Sequence, residues 1–97
     1  MKTRLTAFDP AEYLDSPEAI AEFLAAAFET RDGAYIASAI GVAARAKGMT
    51  DIARETGLAR QSLYAALSEK GNPRLDTLIK VLSTMGVDLS TKAHNPA

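Results

Sequence analysis

Residues Arg60, Gln61, Ser62, Leu63, Tyr64, Ala65, Ala66, Leu67 and Ser68 form the segment of this 97-residue chain whose side chains could do chemistry. On a helix they divide into two unlike faces. Leu63, Ala66 and Leu67 recur at i, i+3 and i+4 and make an apolar stripe that must pack inward. Gln61, Tyr64, Ala65 and Ser68 fall at i, i+3, i+4 and i+7 on the other side, with Arg60 at the N-terminal end. A solvated helix face is usually covered by Glu and Lys, yet this one has no charge beyond Arg60. Its side chains are ones that read base edges. Arginine can bond guanine bidentately, glutamine can do the same to adenine, and an alanine methyl can meet a thymine methyl. Ser62 and Tyr64 offer hydroxyls to phosphate oxygens, as does Thr50 together with the N–H groups opening the preceding helix. Lys70 and the Gly71-Asn72 turn follow directly, where they would lie beside the DNA backbone. Arg45, Lys47 and Arg74 are weaker candidates for the same electrostatic role. Plainer readings stand beside these: Tyr64 as a partly buried core aromatic, Lys70 and Arg74 as solvated charges.

The segment that must position this face is Met49 to Leu67, whose spacing is that of a helix-turn-helix. Ala53 sits where two helices would touch, and a larger side chain there would push them apart. Gly57 follows four residues later, where the chain must leave the first helix by a left-handed turn that glycine adopts cheaply. Ile52, Leu58, Leu63 and Ala66 fall on the inward sides. Recognition helices use their N-terminal residues for base contacts, which again selects Arg60 and Gln61. Pairs of short helices joined by a glycine turn also occur in all-α proteins that never touch DNA.

The remaining elements are read from caps and apolar period. The first residues are extended with Phe8 as anchor, and Asp9, Pro10 and Glu12 give the start signal of a short turn through Leu14. Ser16-Pro17 opens a longer helix whose apolar stripe is Ile20, Phe23, Leu24, Ala27 and Phe28. A break at Thr30–Gly33, with Asp32 as cap, leads into a helix running to about Lys47. That helix has Ile36, Ala39, Ile40 and Ala43 inward and ends at Gly48. Thr50 is expected to cap the third helix, and the fourth covers Arg60 to Leu67. Asn72-Pro73 is expected to start the fifth, with Leu75, Leu78, Ile79, Leu82 and Met85 inward and Gly86 as C-cap. Val87, Asp88 and Leu89 alternate and could form a brief strand. The organisation predicted is an N-terminal arm over 1–15, a helix-turn-helix domain over 16–89, and a disordered tail over 90–97. The fold class is all-α, a five-helix bundle.

Composition excludes several classes. There is no cysteine, hence no disulfide or thiolate chemistry, and the only histidine is His94, so no zinc site is expected. No apolar run reaches the roughly 18 residues of a membrane span, and the start MKTRLTAFDP lacks the apolar core of a signal peptide. Cytoplasmic residence is the expectation. No cofactor motif is present, and an enzyme is not expected. The net charge of −1 is unevenly placed. Residues 1–32 carry three basic and seven acidic side chains, a net of −4, whereas residues 33–97 carry eight and five, a net of +3. DNA affinity depends on positive charge facing phosphates rather than on the global balance.

The chain resembles the HigA-like addiction-module antidote proteins, a prophage-associated branch of the lambda-repressor-like DNA-binding proteins. The resemblance is carried by FDPAEYLDSPEAIAEFL, ARAKGMTDIARETGLARQSLYAALS and GNPRLDTLIKVLSTMGVDL. It implies a small antitoxin encoded beside a RelE-like ribonuclease toxin, binding that toxin and repressing their shared operon as a homodimer on palindromic double-stranded operator DNA. By position, it implies that Arg60, Gln61, Ser62 and Tyr64 belong to the recognition helix, with Thr50 opening the helix before it. Two departures stand out. The segment after Gly48 is about two residues shorter than in that superfamily, leaving Thr50 in place of its usual glutamine. Ala59 stands where a capping Ser or Thr is common. The residues themselves leave open a stand-alone phage-type repressor and a protein-interaction bundle without DNA binding.

Overall fold

The computed structural model describes residues 13–94. Five helices follow in order: α1 (Pro17–Glu29), α2 (Gly33–Lys47), α3 (Met49–Thr56), α4 (Arg60–Ala66) and α5 (Leu75–Thr84). The class is all-α, and no strand occurs among the described residues. The brief strand that Val87–Leu89 could form is not made, because no ladder hydrogen bond joins it to another described segment. The expectations for Phe8, Asp9, Pro10 and Glu12 lie outside the described residues.

The starts of α1 and α2 follow from local chemistry. Ser16 is extended and its Oγ accepts from the Ala19 N–H at 3.1 Å, with proline opening the helix behind it. Asp32 Oδ1 accepts from Ala34 N–H at 3.1 Å and Tyr35 N–H at 3.3 Å. Between the two helices the reversal is made by Arg31, at φ 58°, rather than by Gly33. Thr30 assists: its hydroxyl donates to the Ala27 carbonyl and accepts from the Asp32 N–H.

Three expected helix ends are corrected. Thr50 does not cap α3: Gly48 holds that position, with no side-chain cap bond, and Thr50 lies one residue inside the helix. Asn72-Pro73 does not start α5, because the chain stays extended through Arg74 (φ −69°, ψ 155°) and turns helical at Leu75. Asp76 in the first turn of α5 takes a hydrogen bond from Arg74 Nε at 3.1 Å instead. The C-cap of α5 is Met85 rather than Gly86. Gly86 lies one residue beyond, donating to Ser83 O while Val87 N–H donates to Leu82 O, the paired bonds of a Schellman turn.

The core is built on α2, against which α1, α3 and α4 all pack, with α5 packed on α3. Ile40, Ile52, Leu63, Leu67, Val81 and Leu82 are its largest fully enclosed side chains. The buried face of α2 is otherwise small: Ala37, Ala39, Gly41, Ala43 and Ala44. At Gly41 the helices come so close that a Cβ would collide with the backbone carbonyl of Leu67, just past α4. Three inward assignments fail. Phe28 is 37% exposed at the rim of α1, and on α5 Leu75 and Ile79 are exposed at 64% and 50%. The buried stripe of α5 is Leu78, Val81, Leu82 and Met85, which keeps the i, i+3, i+4, i+7 period one face round from the expected one.

Gly41→Ala should therefore cost about 1–3 kcal/mol by forced displacement of Leu67. Gly33→Ala, where nothing lies within 4 Å of an added Cβ, should be neutral or gain up to about 1 kcal/mol. Urea denaturation of both variants checks the contrast. Ala59, the uncapped N-cap of α4, is already extended (φ −70°, ψ 141°). Ala59→Ser should raise stability by about 1 kcal/mol in the same assay.

Candidate nucleic-acid interface

The turn between α3 and α4 is fixed by two local devices. Gly57 takes the left-handed conformation at φ 74°, and its N–H donates to the Ala53 carbonyl. The Thr56 hydroxyl donates to Ile52 O at 2.7 Å and accepts from the Leu58 N–H at 3.3 Å, tying helix to turn. Leu58 then packs on the core and α4 begins at Arg60.

Burial orients α4. Leu63 is 1% exposed, and Leu67, immediately after the helix, is equally buried. That pins one face and leaves Arg60, Gln61, Ser62, Tyr64 and Ala65 in solvent on the rest of the surface. Tyr64 is 41% exposed, and the core is complete without it. Its ring lies 5.8 Å from the Arg60 guanidinium carbon, a cation–π contact that holds the arginine along the face. Ser68 differs from the pattern reading: its hydroxyl donates to Ala65 O at 2.9 Å and so serves the end of the helix. Lys70 and Asn72 are exposed in the following loop, where Gly71 N–H donates to Ser68 O. Thr50 is exposed in the first turn of α3, the helix that packs beside α4.

Ion pairing sorts the basic residues. Arg54 is held by Asp51 at 2.7 Å and Arg74 by Asp76 at 3.1 Å. The Arg74 hydrogen bond also holds the Asp76 carboxyl below its ordinary value, with the guanidinium charge helping. Arg45, Lys47, Arg60 and Lys70 make no ion pair with any described residue, so their charge is available to an anionic partner. The pairing of Arg74 with Asp76 is solvent-exposed and was not legible from the sequence pattern. The acidic side chains Glu18, Glu22 and Glu29 are exposed along α1.

A concavity lies between α1 and residues 87–94, with Leu24, Phe28 and Leu89 in its wall. Among the described residues no group of His, Cys, Asp and Glu could hold a metal ion. No described helix is long and apolar enough to cross a membrane.

A family model described as "Probable addiction module antidote protein" matches residues 4–93. An uncharacterized protein of Haemophilus influenzae is 38% identical over 92 residues, covering 95% of each chain. No solved structure matches the chain. The family match takes in all five helices and the loops between them, and the chain belongs to the family of probable addiction-module antidote proteins.

Proposed function

We propose that this protein is the antitoxin of a type II toxin–antitoxin module that also represses its own operon. In this reading α3 and α4 are a helix-turn-helix of the lambda-repressor type, as in HigA-like antidotes, and α4 lies in the major groove of operator DNA. The observation that carries it is the exposed, nearly uncharged face of α4, whose Arg60, Gln61 and Ala65 suit base edges. Ser62, Tyr64 and Thr50 supply hydroxyls for phosphates, and Lys70 and Asn72 flank the DNA backbone. A single module of this size reads only a few base pairs, so useful specificity calls for two copies on two half-sites. The protein works as a binder in the cytoplasm, without a cofactor and without catalysing a reaction.

Family membership supports a toxin partner in general. The finer reading, a RelE-like ribonuclease, draws support from charge. A protein that cuts RNA presents basic surface, and the exposed acids of α1 are complementary to it.

Fluorescence anisotropy on the protein's own promoter tests the DNA reading. Arg60→Ala and Gln61→Ala should each weaken binding by about 1–3 kcal/mol and relax the preference at one base position. Lys70→Ala should weaken all sequences alike and lower the salt dependence by about one counterion. Unchanged affinity and preference in the first two variants would refute the α4 assignment. For the toxin, the product of the adjacent gene should co-purify with the chain when both are expressed, and its failure to do so removes that half of the reading.

A further inference from the structure

Residues 87–94 alternate except at Thr91, whose hydroxyl interrupts the apolar side. Val87, Leu89, Thr91 and Ala93 occupy the odd positions, and the polar Asp88, Ser90, Lys92 and His94 the even ones. That is the period of a strand with one apolar side, but the segment belongs to no regular element. Beyond the Val87 N–H bond to Leu82, residues 88–94 make no backbone hydrogen bond with any described residue. Among the described residues, side chains alone hold the segment along α1. Val87 packs on the core at one end. At the other, Lys92 Nζ lies 3.5 Å from Glu29 Oε2, and His94 meets the Arg31 guanidinium. A held segment with strand period and unpaired N–H and C=O groups is one half of a ladder.

We propose that residues 87–93 pair antiparallel with the same segment of a second copy of this chain, about a two-fold axis at Ser90. Such an axis sets odd positions opposite odd ones, so both apolar sides of the ribbon face the same way. It also sets position 88 opposite 92, so Asp88 of each copy faces Lys92 of the other, twice per dimer. Moving the axis by one residue in either direction leaves Lys92 opposite an uncharged residue. The sequence is thus charge-complementary to itself in one register. The Lys92–Glu29 pair does not oppose this, because its side chains are 84% and 70% exposed and such pairs are weak. The ribbon supplies an interface for the paired copies of the operator reading, and its test contains no DNA, so the two can fail separately.

The test is sedimentation equilibrium of the full chain at low salt. The wild type should show a concentration-dependent dimer. Asp88→Lys should weaken it roughly tenfold by opposing like charges, and the double variant D88K/K92D should restore it, since the swapped charges face each other again. Successive N–H groups in a ladder point alternately toward and away from the partner strand. Either Ser90→Pro or Thr91→Pro should therefore break the dimer while the other is mild. Neither should lower the melting temperature of the monomer. A monomer at every concentration overturns the proposal, as does a dimer indifferent to D88K and to both prolines. A dimer lost instead on Leu75→Glu places the contact on the exposed Leu75 and Ile79 of α5 and likewise overturns it.

Discussion

At Gly41 the backbone of α2 lies against the Leu67 carbonyl with no room for a side-chain carbon between them, and the geometry of the domain follows from that contact. The alanines around it keep the rest of α2 slim, so α1, α3 and α4 can all approach one central helix. Large side chains then fill the space from the other partners: Ile52 from α3, Leu63 from α4, Val81 and Leu82 from α5. Dispersion and burial reward such close approach only where shapes fit, which makes the position intolerant of even one methyl group. The end of α4 is set by Gly41 and its inner face by Leu63, so its outward direction is fixed without any residue of the outer face taking part.

That separation lets the surface chemistry vary freely from the fold. Arg60, Gln61, Ser62 and Ala65 contribute nothing to the core. The acids of α1 and the unpaired cations of the later helices sit on different elements around α2, which suits a chain that meets one anionic and one basic partner under the reading proposed above.

Features that depend on a few neighbouring residues were legible in the sequence. Ser16 and Asp32 cap the helices expected of them, Gly57 makes the left-handed exit, and α4 turns Leu63 inward. What escaped depends on distant partners. Leu75 and Ile79 fit a helical period as well as Val81 does, but only the placement of α5 on α3 decides which face is covered. Arg74 reads as a solitary charge, whereas the first turn of α5 places Asp76 3.1 Å from it. The alternation at 87–89 is genuine, yet a strand is a property of two segments, and the described residues supply one.

The brevity of α4 has a thermodynamic consequence. Seven residues without a side-chain N-cap cannot hold a helix in water, because nucleation costs more than so few hydrogen bonds return. Its shape is sustained by Leu63, Leu67 and the helices they touch. The outer face is therefore not a module that persists when the core loosens. Its amides should be protected from hydrogen exchange no longer than those of the central helix, since the outer face cannot outlast the core that holds it.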